Sequence, residues 1–440
     1  MATRLFRTSI YTLSALAVLT GCTMPAAAPG DPLADKQSPG PSSPDNEIFI
    51  YTVYPVFGKE DVWEKQVGQF LKKKFPELTF KHAQWDNPGR QYQDLIAAGT
   101  VPDIIFDNPG MNYQRYILKN DLQYDMSDLI KKYNFDTSQL NPAFMAQIQR
   151  LSPEGKMYGL PFMSGEFVLF YNKDIFDKFG VDYPKDGMTY DEIYEMAKKL
   201  TRVEGERTYK GYQQHPGLYM TYNQLSLSPL SLTEDKAELS SPGWKKLVDN
   251  LRRFYEIPAN QFTSVDDFPK GNMAMTVHVS GKIVQWYEQN KNLNFDIASM
   301  PSFADAPGVK AQPNINVAYI TKQSTKKDQA FQVIQYLLSE EMQINYAKDG
   351  NIGALQTPKV QEAFGKNLPQ MQGKHAQAIF YGKNAMPPAA RAPGLTYIDV
   401  PVHNVFQPLI FSESKDSVTA LRMVEEAATK AIQTEKAASQ

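Results

Sequence analysis

Apolar positions along the chain change period several times, and each change marks an element. Ile48-Phe49-Ile50-Tyr51-Thr52-Val53-Tyr54 is a β-branched and aromatic run closed by Pro55 and Gly58, which predicts a buried strand. Trp63, Val67, Phe70 and Leu71 then fall four, seven and eight positions apart, one face of a helix that Pro76 ends. Leu78 to Trp85 predicts a second strand, Tyr92 to Ala98 a short helix closed by Gly99, and Asp103-Ile104-Ile105-Phe106 a third strand. A β-α-β-α-β rhythm predicts a parallel sheet covered by helices. Ligands of such sheets sit beyond the carboxyl ends of the strands. Those ends are Tyr54-Pro55, Trp85-Asp86-Asn87 and Asp107-Asn108.

Further along, Phe167 to Tyr171 is a dense apolar run broken by Asn172-Lys173-Asp174. Thr189 and Glu192 have capping-box spacing ahead of a helix whose inner face is Ile193, Met196, Ala197 and Leu200. The stretch 201–243 is polar and turn-rich and carries no clear period. Ser241-Pro242 starts another helix, with Trp244, Leu247, Val248 and Leu251 inward. Ala330, Ile334, Leu337 and Leu338 mark a further helix, and a last one covers roughly Val418 to Thr434. There is no internal repeat.

The N-terminal pattern is of another kind. Arg4 and Arg7 precede a short apolar stretch, Ile10 to Leu19. It falls short of the roughly 20 apolar residues that span a bilayer, and its length suits a secretory signal. Leu19-Thr20-Gly21-Cys22 contains the only cysteine of the chain and resembles a bacterial lipobox. The resemblance implies cleavage before Cys22 and lipidation of that residue; an ordinary signal peptide with an incidental cysteine is the alternative. Thr23 to Asn46 carries six prolines and no aromatic residue, a composition that cannot bury enough apolar surface to fold. Residues 1–21 therefore read as a lipoprotein signal peptide and 22–46 as the lipidated cysteine with a Pro-rich leash. The expected location is the extracellular face of the plasma membrane.

Composition narrows the chemistry. The chain has 440 residues, 42% of them hydrophobic and 21% charged, with a formal net charge of −2. Nothing in that balance points to nucleic acid. With Cys22 lipidated, no thiol remains for disulfides, nucleophilic catalysis or a metal. The five histidines are scattered, with no pair four residues apart, which argues against zinc. No P-loop, dinucleotide fingerprint or Gly-x-Ser-x-Gly appears at a strand–helix junction. No cofactor and no catalytic residue is expected.

One constellation of motifs is specific. Gly155-Lys156-Met157-Tyr158-Gly159-Leu160-Pro161, followed by Leu169-Phe170-Tyr171-Asn172-Lys173-Asp174-Ile175-Phe176, resembles extracellular solute-binding proteins of the family 1 type. These are receptors of ABC importers, with the maltose-binding protein as a well-known relative. Four further pieces agree in order and spacing: Ala98 to Ile104, Gly187 to Glu192, Phe268 to Met275, and Ser324 to Phe331 with Leu337 to Glu341. The resemblance covers roughly residues 48–435.

The resemblance implies an α/β, two-lobe fold of the periplasmic-binding-protein type II class, with a ligand cleft between the lobes. Lobe one is expected at 47–163 plus 300–345, and lobe two at 164–299 plus 346–440, with crossings near Met163-Ser164-Gly165, Met300-Pro301 and Ser339 to Tyr346. It implies a monomer that captures a small ligand, best guessed as an oligosaccharide, and hands it to an importer permease. A receptor feeding a sensor kinase or chemoreceptor, and a surface carbohydrate-active enzyme, are the alternatives.

Candidate ligand contacts follow from strand ends, crossings and aromatic faces. Trp63 and Trp244 sit on helix core faces and read as packing. Trp85, beside Asp86, reads equally as pocket wall or core. Trp286 and Tyr287 lie where sugar-binding relatives carry an aromatic platform, yet with Ile283 they also form a helix face. Asp107, Asn108, Glu166 and His278 are the polar candidates, each equally readable as a loop cap or hinge bond. Asn314 and Asn316 are weaker picks. Two positions depart from sugar-binding relatives: Asp107 stands where maltose-type proteins place a Trp, and Ser280-Gly281-Lys282 replaces a Gly-Ser-Trp-like turn.

Overall fold

Strand-forming residues and full burial coincide in β1 (Glu47–Thr52), where Ile48, Ile50 and Tyr51 have no exposed surface. A computed structural model describes residues 45–53, 60–86, 88–110, 112–152, 154–406, 409 and 416–438. The expected signal peptide, Cys22, nearly all of the 22–46 leash, and the candidate strand-end residues Tyr54, Pro55 and Asn87 lie outside them. Among the described residues no helix is long and apolar enough to cross a membrane.

The chain continues through β2 (Thr79–Gln84), β3 (Ile104–Asp107) and β4 (Leu160–Gly165), then β5 (Phe167–Asn172). A small hairpin, β6 (Arg202–Glu204) and β7 (Arg207–Tyr209), occupies the unassigned polar stretch, followed by β8 (Gln213–Gln214). After these come β9 (Met275–Val279), β10 (Phe295–Ser299), β11 (Val309–Lys310), β12 (Asn314–Ile320), β13 (Ile352–Gly353) and β14 (Lys383–Asn384).

Six strands make the first sheet, in the order β13-β4-β12-β3-β1-β2. The rhythm read from the sequence is present: β1 pairs in parallel with both β2 and β3, with Ile50 opposite Ile104. β12 enters between β3 and β4 and is antiparallel to both. Helices bury Trp63, Val67 and Leu71 against this sheet, and Phe331, Ile334 and Leu337 join the same core. The order β2-β1-β3 reverses direction at β1, a switch point of the kind beside which ligands bind.

The second sheet has four strands in the order β10-β5-β9-β8. Period-two alternation divides the side chains of β5 between two cores. Phe167, Leu169 and Tyr171 face one, with the helices Tyr190–Leu200 and Pro242–Tyr255 and the C-terminal helix Ser417–Ala438. Val168 and Phe170 face the other, with Phe268, Trp286, Phe295 and Ile379. Both halves of the capping box form: Thr189 N–H donates to Glu192 Oε2 at 2.7 Å, and Glu192 N–H donates to Thr189 Oγ1 at 3.3 Å.

The chain passes from the first sheet to the second at Gly165-Glu166, directly between β4 and β5, and returns between β10 and β12. It leaves the first sheet once more after β13, since Phe364, Met371 and Ile379 pack in the core against Phe170. The result is an α/β molecule of two lobes, each built around its own main sheet.

Candidate functional site

A cavity of about 710 Å³ opens between the two lobes. Five segments far apart in sequence build its walls. From the first lobe come the loop after β3, beginning at Asn108, and the segment Gln147 to Tyr158. Thr221 and Tyr222 end a short helix on the second lobe, and Ser228 to Leu230 follow them. Gln312, Asn314 and Ile315 lie where the chain returns to the first sheet, and Pro388 to Val402 close the remaining side. A largely apolar wall set with tyrosines and amides is ordinary for a small-molecule site.

Local bonds fix these walls. Tyr222 Oη donates to Asn314 Oδ1 at 2.8 Å, joining the second lobe to the first residue of β12. Gln147 Nε2 donates to the carbonyl of Pro313 at 2.7 Å, and Gln312 Nε2 to that of Asn223 at 2.9 Å. The 388–402 segment has almost no regular structure and is held through Arg391, whose Nε and Nη1 donate to the carbonyls of Ser231 and Thr396, each at 2.8 Å. Thr396 N–H donates in turn to Asp235, which pairs with Lys436 of the C-terminal helix at 2.8 Å.

Of the eight ligand candidates named from the sequence, Asn108 lines this cavity. Asp107 lies beneath it, fully buried. Its carboxylate accepts from the Tyr92 hydroxyl at 3.0 Å, the Asn108 N–H at 2.7 Å and Asn112 Nδ2 at 3.3 Å. Burial pushes its pKa up to about 7 against those three donors. Asp107 thus anchors the loop whose next residue faces the cavity. Glu166 is also buried; its Oε2 accepts from Lys310 Nζ and Asn384 Nδ2, both at 2.8 Å.

His278, on β9, is mostly buried with its ring 5.7 Å from that of Trp286, and burial lowers its pKa to about 4. Trp286 is 1% exposed and packs on Phe170 and Phe268, at 5.0 and 5.1 Å between ring centroids. It belongs to the core under β5, apart from the cavity wall. Tyr287 is half-buried beneath Lys291 Nζ, 5.2 Å from its ring. Trp85 is 43% exposed after β2, next to the exposed Asp86, and neither lines the cavity. Of the weaker picks, Asn314 is a wall residue.

The aromatic wall residues are Tyr158, Tyr222 and Tyr397. Tyr158 was visible in the Gly155–Pro161 motif. Tyr222 sits in the stretch without period, and Tyr397 in a Pro- and Ala-rich segment whose only sequence signal is its avoidance of helix and strand. Arg150, at the end of the helix Pro142–Gln149, also lines the cavity. No group of three or more potential metal ligands is present among the described residues.

Two α/β lobes with a cleft between them are the architecture of a small-ligand-binding protein. The chain belongs to the bacterial extracellular solute-binding proteins, whose family profile matches residues 65–373. That family is one of binding proteins rather than enzymes. A Brucella abortus protein described only as a binding protein is 24% identical over 325 residues, covering 70% of this chain and 76% of its own.

Among solved structures, the ABC substrate-binding protein Lmo0181 of Listeria monocytogenes, in complex with cycloalternan, superposes with a TM-score of 0.65 at 20% identity. The match covers 88% of this chain and 99% of that one. The sugar-binding protein MalE of Xanthomonas citri gives 0.67 at 15% identity, over 89% and 98% of the two chains. At these identities the likeness is one of fold.

Proposed function

We propose that this protein is a lipid-anchored receptor on the outer face of the plasma membrane. It captures an oligosaccharide by closing its lobes and passes it to an ABC importer. In this reading the lobes are 47–163 plus 300–345 and 164–299 plus 346–440, with β13 (Ile352–Gly353) counted with the first lobe, whose sheet it joins. The observation that carries the proposal is the cavity of about 710 Å³ whose walls come from both lobes. Its volume suits a ligand of a few sugar rings. Tyr158, Tyr222 and Tyr397 offer ring faces for the C–H faces of sugars, and Asn108, Gln312 and Asn314 offer amides for hydroxyls. The cycloalternan and sugar-binding neighbours support a saccharide. Lipidation at Cys22 would leave the Pro-rich stretch 23–46 between the anchor and the lobes.

A thermal-shift screen tests the ligand class, using neutral and acidic oligosaccharides, peptides, polyamines and metal ions. A ligand at 100 times its Kd adds about 2.7 kcal/mol of stability. At least one oligosaccharide is expected to shift the transition, and Tyr158→Ala is expected to weaken its binding by about tenfold, roughly 1.4 kcal/mol. A shift with peptides or amines and none with any saccharide would discard the saccharide reading.

A further inference from the structure

One cavity-wall side chain has a buried donor without a hydrogen-bond partner. Arg150 follows the helix Pro142–Gln149 on the first lobe and lines the cleft. Its Nε is buried with no hydrogen-bond partner. Among the described residues its guanidinium forms no ion pair within 4 Å. Burial disfavours its charged form, and the one group whose charge acts back on it is the Tyr397 hydroxyl across the cleft.

A second guanidinium reinforces the field. Arg391 is fixed on the opposite wall by carbonyls of Ser231 and Thr396, and it too acts on Tyr397. The two acidic residues of the wall do not answer Arg150. Glu154 is paired with Lys156 at 3.1 Å, and Asp399 is exposed and acts on Tyr397. A guanidinium kept in a polar cleft without a counter-charge is costly in the empty protein, because a desolvated cation needs a partner. The fork geometry of arginine matches carboxylate and phosphate oxygens in paired hydrogen bonds.

We propose that the ligand of this cleft carries an anionic group, a uronate carboxylate or a sugar phosphate ester, which docks on Arg150 from a saccharide held by the tyrosines. This rests on the saccharide reading above and names its chemical class. The protein then selects acidic saccharides over neutral ones of the same length. Arg150 supplies the discriminating contact, while Arg391 contributes a fixed positive field from the other lobe.

Isothermal titration of the purified protein with three probes tests this: a neutral trisaccharide, a trigalacturonate and a phosphorylated disaccharide. At least one acidic probe is expected to bind about 10- to 100-fold more tightly than the neutral one, the worth of a charge-assisted hydrogen bond to a buried partner. Arg150→Gln should weaken acidic-probe binding at least tenfold more than neutral-probe binding, and Arg150→Lys should restore part of the difference. The carboxylate and phosphate probes separate the two sources of the anion.

The ligand-free Arg150→Gln variant is expected to melt no lower than the wild type, since it loses a half-buried cation whose Nε has no hydrogen-bond partner. If that variant does not fold, salt dependence of the wild type decides: acidic-probe affinity should fall with salt while neutral affinity stays level. Equal binding of neutral and acidic probes, untouched by Arg150→Gln, would overturn the anionic proposal and leave the saccharide receptor standing. A control titration with glycerol phosphate separates the two readings: binding there, with none of the three saccharide probes bound, would overturn the saccharide reading itself.

Discussion

Asp107 and His278 are buried groups whose protonation runs against the ordinary pattern, and each ties folding to pH in an opposite sense. The Asp107 carboxyl has a native pKa of about 7, against roughly 3.9 in an unfolded chain. The native state therefore holds a proton that the unfolded chain releases. Its contribution to stability is full below about pH 4 and is lost as pH rises toward 7. His278 runs the other way, with a native value of about 4 against roughly 6.5 unfolded. Its contribution is full above about pH 6.5 and is lost as pH falls toward 4. The two slopes oppose each other between those limits, so the wild-type curve alone conceals them. Urea unfolding from pH 4.5 to 8 is expected to separate them through Asp107→Asn and His278→Gln. The gap between wild type and Asp107→Asn should be larger at pH 5 than at pH 8, and that for His278→Gln larger at pH 7 than at pH 4.5. A gap that is constant with pH at either residue would remove that group from the account. Neither shift could be read from the sequence, because both arise from desolvation by neighbours distant in the chain.

At the scale of elements, the segments that pass between the lobes meet at one buried ion pair. Glu166 joins β4 to β5, Lys310 lies on β11, and Asn384 on β14 completes the cluster. Lys310 Nζ also donates to the carbonyl of Ile379 at 3.1 Å. Glu166→Gln leaves the ammonium buried without its counter-charge, and a loss of about 3–5 kcal/mol is expected. The double change Glu166→Gln with Lys310→Met should recover most of it, since removing both charges also removes the desolvation cost. Chemical denaturation of the two variants checks this; equal loss in both would mean that packing, not charge, holds the junction. Elements of this kind were largely legible where a local period exists. The parallel trio β1, β2 and β3, the Thr189–Glu192 box and the Pro242 helix start all follow from spacing within a dozen residues. Trp286 shows the limit: its helical spacing with Ile283 served core and platform equally, and the decision came from Phe170 and Phe268 on other elements. The cavity walls had less signal still. They are polar or aperiodic segments, and their meeting is decided by the insertion of β12 between β3 and β4 rather than by anything in their own residues.

Among the described residues the two largest sheets have separate cores, joined where the chain passes at Gly165-Glu166, between β10 and β12, and after β13. Among the described residues, one bond across the cavity that opposes relative motion is the 2.8 Å bond from Tyr222 to Asn314. A ligand that touches both walls favours the proposed closed form only by the contacts it gains there and lacks in the open form. Tyr222 is placed to report on that balance, because its ring lines the cavity while its hydroxyl ties the lobes together. Small-angle X-ray scattering of the protein with and without a saturating ligand is expected to show a smaller radius of gyration in the complex. Tyr222→Phe should raise the ligand-free radius slightly and weaken binding, because a less populated closed form reduces apparent affinity by the same fraction. An unchanged radius on saturation would sink hinge closure while leaving ligand binding intact. Weaker binding by Tyr222→Phe with unchanged radii in both states would instead place the effect of its hydroxyl in the cavity wall alone.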